Sequence, residues 1–220
     1  MDILKTEVEA LHIILIGSFN PAIYHPEWFS RMGLIREEEA KAPKIDVVHS
    51  EITSETIGNI RIQVQSNRFA AHTMNAGEYE VLRDLVIGTF KSLPHTPIRL
   101  MGINFEAHYK MSSVEAWHRL GDRLAPKGPW GDTLKQPGMI SLTMEGQRPD
   151  NYTGYLRVKV EPSRQIKNGV GVFIAVNDHY EIPDHKPADG SGAIMEVLSS
   201  CWESSLNQSR SIAEFIARSS

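Results

Sequence analysis

The chain has 220 residues and a mass of 24.7 kDa, with 23 basic and 27 acidic side chains, a net charge of −4 and an isoelectric point near 6.1. That length holds one or two domains, and 41% hydrophobic with 23% charged residues supplies enough apolar material for a sizeable core, which excludes wholesale disorder. The longest apolar stretch, Leu11 to Ile16, is interrupted by His12 and falls far short of the roughly 20 residues of a membrane span. The start, Met-Asp-Ile-Leu-Lys-Thr-Glu, lacks the pattern of a signal peptide, so the chain reads as cytoplasmic. A single cysteine, Cys201, excludes an internal disulfide framework and a thiolate-rich zinc site within one chain.

In chain order, β-branched and aromatic content between Gly, Pro and Asn breaks predicts a strand over 11–18, a short helix over 26–33, and strands over 46–53, 60–65 and 68–73. Within 60–65, Ile60, Ile62 and Val64 alternate with Arg61, Gln63 and Gln65, the period of a strand with one buried face. A long helix follows over 78–93, where Tyr79, Leu82, Leu85, Val86 and Phe90 share a face. Then come a strand over 97–109, a short helix over 113–124, strands over 139–146, 156–161 and 169–178, and a helix over 192–218. The apolar stripe of that last helix reads Ile194, Val197, Leu198, Cys201, Ile212 and Phe215.

This order occurs twice, and residues repeat with it. Ile13-Ile14-Leu15-Ile16-Gly17 aligns with Ile98-Arg99-Leu100-Met101-Gly102 at an offset of 85. Glu27, Phe29, Arg31, Met32 and Gly33 align with Glu115, Trp117, Arg119, Leu120 and Gly121 at 88, and 60–65 aligns with 156–161 at 96. Gly33 and Gly121 are expected to end the short helices in a left-handed conformation, and Gly17 and Gly102 to mark a bulge or a close backbone approach. The expected architecture is a single α+β unit, 1–220, of two pseudo-repeats, 1–95 and 96–220. They form one antiparallel sheet about a pseudo-twofold axis, with helices packed on one face and the other face open.

That tandem order resembles the saddle of the TATA-binding protein family, in which helices cover the convex side and the concave sheet grips its target; the likeness is one of topology. That family binds DNA through a basic face with inserted phenylalanines. This chain is acidic, and its equivalent strands present Arg61, Gln63, Gln65, Arg157, Lys159 and Glu161, so nucleic acid is not the expected partner. A second resemblance rests on Gly17-Ser18-Phe19-Asn20-Pro21-Ala22, Pro26-Glu27-Trp28-Phe29 and Asn177-Asp178-His179-Tyr180. Through these residues the chain is similar, over most of its length, to a family of uncharacterised bacterial proteins, which implies no activity, cofactor or catalytic residue.

The densest polar cluster is Asn177-Asp178-His179-Tyr180-Glu181 with Asp184 and His185, at the end of a predicted strand. Asp178, His179, Glu181 and His185 are the candidate metal ligands or acid–base groups of a small-molecule enzyme or sensor, with its ligand in the crevice between the halves. The competing reading is a polar turn whose Asp and Asn side chains satisfy local backbone groups. Glu115 and His118 have the spacing of carboxylate-bridged di-iron helices, but the duplicate helix carries Ser30 where the second histidine would fall, so an i,i+3 surface pair is expected. His49, His72, His95 and His108 are scattered and receive no role. There is no Gly-x-Ser-x-Gly elbow, and Gly169-x-Gly171 opens no helix that could cradle a phosphate.

What remains is surface. Trp130 in the loop 126–131, and Tyr24, His25 and Trp28 between prolines, are either interface anchors or rings folded back over helix ends. The expected function is a non-enzymatic binding or assembly module without a cofactor or metal. Its open sheet face and loops, through Arg61, Gln63, Tyr155, Arg157, Lys159 and Trp130, engage a protein partner or a second copy of the chain, making it a homo-oligomer.

Overall fold

The computed structural model describes residues 5–41, 44–49 and 51–218, so Ser50, inside the strand expected over 46–53, lies outside the described residues. The elements run β1 (Lys5–Gly17), α1 (Pro26–Arg31), α2 (Glu37–Lys41), β2 (Lys44–His49), β3 (Ile52–Ile57), β4 (Ile60–Gln65), β5 (Arg68–Thr73) and α3 (Tyr79–Ser92). They continue with β6 (Ile98–Lys110), α4 (Val114–Leu124), β7 (Leu142–Gln147), β8 (Gly154–Pro162), β9 (Gly171–Glu181) and α5 (Gly192–Arg218). The single strand expected over 46–53 is two, because the chain reverses and β3 pairs back on β2. α2 was not expected; it is one turn of Glu-Glu-Glu-Ala-Lys held by the Lys41–Glu37 ion pair.

Among the described residues the strands form one antiparallel sheet in the order β2-β3-β4-β5-β1-β6-β9-β8-β7. The two long strands β1 and β6 pair with each other at the centre, and each half fans outward from its own long strand. Both halves therefore run strand, helix, strands, long helix. The correspondence is one of connectivity, and the ladder does not follow the residue match at 85. That match keeps the face at Ile13 and Ile98, both buried, but equates buried Leu15 with half-buried Leu100 and half-buried Ile16 with buried Met101.

The helices pack on one face. Leu11, Ile13 and Leu15 of β1, with Ile103, Phe105 and Ala107 of β6, point towards them and are fully buried or nearly so. α5 lies over β6 and β9, α3 packs against α5 and β5, and Arg123 of α4 donates to the Ile216 carbonyl of α5. Beneath α1 an aromatic cluster closes the first half, with Phe69 and Phe90 centroids 5.1 Å apart and Tyr24 5.5 Å from Phe69. Tyr24 is thus a core residue and no interface anchor. Phe215 departs from the expected stripe: it is 72% exposed, and Ala213 and Ala217 take the buried positions of that last turn.

Gly33 ends the short helix at φ 70°, as its position predicts. Gly121 does not cap, because α4 continues through it to Leu124. Gly17 marks a close approach: the β1–β6 register shifts there, and a Cβ would collide with the Pro97 carbonyl. Gly102 lies in unbroken register opposite Ile14 and His179, so the expected bulge is absent at that position.

Candidate functional site

The face opposite the helices carries the polar members of the strand alternation. One row crosses it at right angles to the strands: Thr56, Arg61, His72, His12, Asn104, Asn177, Arg157 and Glu145 are successive register partners. Every member is polar, and at the usual inter-strand spacing the row is roughly 34 Å long. Gln63 and Tyr155 belong to the neighbouring row, which passes through Ser54, Ala70, Ile14, Gly102 and His179. Lys159 stands in the row on the other side of the polar one, opposite Thr143 and Ala175, and pairs with Glu161 at 2.8 Å. Five of the six expected partner-binding residues therefore share this face.

Neighbouring side chains hold one another in place. The His12 and His72 rings stack with centroids 4.7 Å apart, and His12 Nε2 lies 3.5 Å from Glu106 Oε2. On the other side the Tyr155 and His179 rings stack at 4.4 Å, the Arg157 guanidinium lies 4.6 Å from the Tyr155 ring centre, and both its Nε and Nη2 donate to Glu145. Stacked arginine and paired aromatic rings give a preordered surface that loses little side-chain entropy on docking.

Charge on this face responds to crowding. Burial, the His12 ring and the Arg61 charge push the His72 imidazole down to about 4, and burial lowers His108 and His179 as well. Contact with His12 outweighs burial at Glu106 and keeps its carboxyl below the usual glutamate range. Near neutral pH His72, His108 and His179 are thus uncharged.

The alternative set does not converge. Adjacent residues of a strand point to opposite faces. His179 and Glu181 lie on the open face, Nε2 3.2 Å from Oε1, whereas Asp178 points among the helices, fully buried. His185 sits in the following loop and contacts the Gly190 carbonyl at 2.9 Å. No group of three or more His, Cys, Asp or Glu side chains among the described residues is placed to hold a metal ion. A cavity of about 470 Å³ does lie between α3 and α5, one from each half, but its walls are Ile87, Phe90, Pro94, Ser191, Met195 and neighbouring residues, with none of the four.

Asp178 instead anchors a buried network. Its Oδ1 accepts from Arg148 Nη1 and its Oδ2 from the Tyr180 hydroxyl at 2.8 Å, and the Arg148 side chain is only 2% exposed. Arg148 also grips Asp150 through Nε and Nη2 and lies 3.8 Å from the Tyr180 ring centre. Burial alone would lower the Arg148 pKa, but the Asp150 hydrogen bonds and the Asp178 charge more than offset it, so it stays firmly charged. Burial pushes the Tyr180 hydroxyl up and the Cys201 thiol to about 11, which leaves Cys201 an unreactive core residue.

Trp130 is 53% exposed in a single turn of 3-10 helix outside the sheet, whose backbone bonds join Trp130 N to the Lys127 carbonyl and Leu134 N to the Trp130 carbonyl. Near that turn α4 and the segment 136–139 enclose a mainly apolar cavity of about 480 Å³, lined by Trp117, Leu120, Met139, Pro162 and Val172 with Glu161 at its edge. Sequence reasoning missed His12, Glu106 and Arg148. His12 had a visible signal, since it interrupts an apolar run at a position that alternation sends to the open side; Arg148, in a loop, had none.

Fold and face together define an α+β protein built on one antiparallel sheet, with a helical side and an open, polar side. No protein-family profile matches the chain, and no curated protein matches it.

Proposed function

We propose that the chain is a binding module that docks a protein partner on its open sheet face. The observation that supports this reading is the eight-strand polar row running from Thr56 to Glu145 through Arg61 and Arg157. The row carries two arginines, one glutamate and uncharged polar groups, a mixture that suits a protein surface better than the uniform charge of a phosphate backbone.

The test is site-specific photo-crosslinking in cells, with the crosslinker at Gln63 and, as control, at Glu203 on the helical side. A discrete adduct from Gln63, abolished by Arg61→Glu, Arg157→Glu and Lys159→Glu together without loss of thermal stability, is the expected result. Equal adducts from Glu203, or adducts that survive the triple change, overturn the reading. A second reading, a sensor of a small apolar ligand, is favoured by the cavity under α4; a raised melting temperature that Leu120→Trp removes would select it.

A further inference from the structure

Natural sheets protect their edges, and the two edges of this one differ. At one edge β2 carries Lys44 and Asp46 in its sequence and shifts register between Ile45 and Val47, two devices that discourage pairing with another chain. At the other edge β7 runs Leu-Thr-Met-Glu-Gly-Gln in unbroken register against β8. It contains no proline or lysine and, among the described residues, pairs with β8 alone. The ladder sets Met144 in line with Val158 and Val176, on the helical side, yet Met144 is 61% exposed and Ile140, just ahead of the strand, 84%. An apolar strip thus runs beside an unprotected strand edge.

We infer that β7 is a self-association edge, pairing antiparallel with β7 of a second copy about a twofold axis through Met144. The occupant follows from the strand's own residues. In a continuous antiparallel sheet, opposed residues share a face, so an axis must pass through one residue facing its own copy. An axis at Glu145 sets two like charges opposite each other. An axis at Met144 pairs 142–146, nearly the whole strand. It sets Met144 against Met144 on the helical side, Leu142 against Gly146, and the Thr143 hydroxyl against the Glu145 carboxylate on the open side. Each exposed apolar side chain of the strand gains an apolar neighbour, and no charge is opposed by its like.

This edge shares Thr143 and Glu145 with the open face, so Arg61, in the other half of the sheet, is the position that separates the two inferences. The wild-type chain is expected to sediment as a dimer at about 100 µM. Met144→Lys, which opposes two ammonium groups across the axis, raises the dissociation constant by about tenfold or more, while Arg61→Glu, six strands away from β7, leaves it unchanged. Because Met144 is exposed, Met144→Lys keeps the wild-type melting temperature of the monomer. Met144→Cys, treated with oxidised glutathione, gives a disulfide-linked dimer, since directly opposed antiparallel residues lie within disulfide reach and Cys201 is buried. A monomer at that concentration, or a dimer indifferent to Met144→Lys, overturns the inference.

Discussion

Arg61 and Arg157, 96 positions apart in sequence, stand in one row of the sheet, each two strands out from the central β1–β6 pair. Between them lie His72, His12, Asn104 and Asn177, so that two cationic groups bracket a polar centre. The pairing of β1 with β6 is what brings the two halves into this register. Without it the arginines would sit on separate surfaces.

The His12–His72 stack makes the centre of that row sensitive to acid. With its pKa held near 4 in the folded chain against an ordinary 6.5, His72 binds a proton less readily folded than unfolded. Stability is therefore complete above about pH 6.5 and falls as the pH drops towards 4. Imidazole carbon shifts followed by NMR should place the His72 midpoint near 4, and His72→Gln should flatten the loss of melting temperature across that window. A midpoint at the ordinary value would contradict the burial of His72 beside His12.

The Arg148–Asp178 pair is buried on both sides, so removing one partner strands the other charge. Asp178→Ala is expected to cost about 3–5 kcal/mol in chemical denaturation. Replacing both, as Arg148→Met with Asp178→Leu, should cost less than the single change, because no unpaired ion remains. A loss in the double variant as large as the sum of the losses from Arg148→Met and Asp178→Leu alone would show that the two charges are not coupled.

Glu55 is fully buried on the helical side of β3, opposite Ile62, and among the described residues neither carboxylate oxygen finds a hydrogen-bond donor. Burial, with a smaller push from Glu27, raises its pKa to about 7. A carboxyl raised in this way keeps its proton longer in the folded state, so stability falls as the pH rises from about 4.5 to 7 and is flat above. Such a shift corresponds to about 3 kcal/mol, and Glu55→Gln should recover most of it at pH 8 while changing little at pH 4. Equal effects at both values would show that Glu55 is not the titrating group.

Gly154 opens β8 at φ 141°, and a Cβ there would collide with the His179 carbonyl of β9. Gly154→Ala should lower stability by about 2 kcal/mol or more, through backbone strain and displacement of the β8–β9 ladder. Gly138→Ala, where a Cβ meets nothing within 4 Å, is the matched control and should be neutral. Comparable melting temperatures for the two variants would refute the close approach.

Local pattern carried much of the architecture. Period-two alternation marks β4 at its true ends, and the spacing of Tyr79, Leu82, Leu85, Val86 and Phe90 marks α3 within one residue. These elements were legible because each buries one face, and the buried face imposes its period on the residues. The turn between β2 and β3 was not legible, since Val47-Val48-His49 and Ile52-Thr53 read as one β-rich run. The open-face residues Arg61, Gln63, Tyr155, Arg157 and Lys159 were legible for the same reason as the strands. Where the set Asp178, His179, Glu181 and His185 would fall was not legible: alternation parts Asp178 from His179 and Glu181, which share the open face, and His185 lies in the loop beyond.

The sequence by itself determined which residues alternate, which helices are amphipathic and that one side of each strand is polar, because these depend only on neighbours a few positions away. Tertiary structure alone decided that β1 pairs with β6, that His12 stacks on His72, and that Asp178 meets Arg148 inside the core. Those contacts join residues tens of positions apart, and the order in which strands enter the sheet, which no local period encodes, sets every one of them.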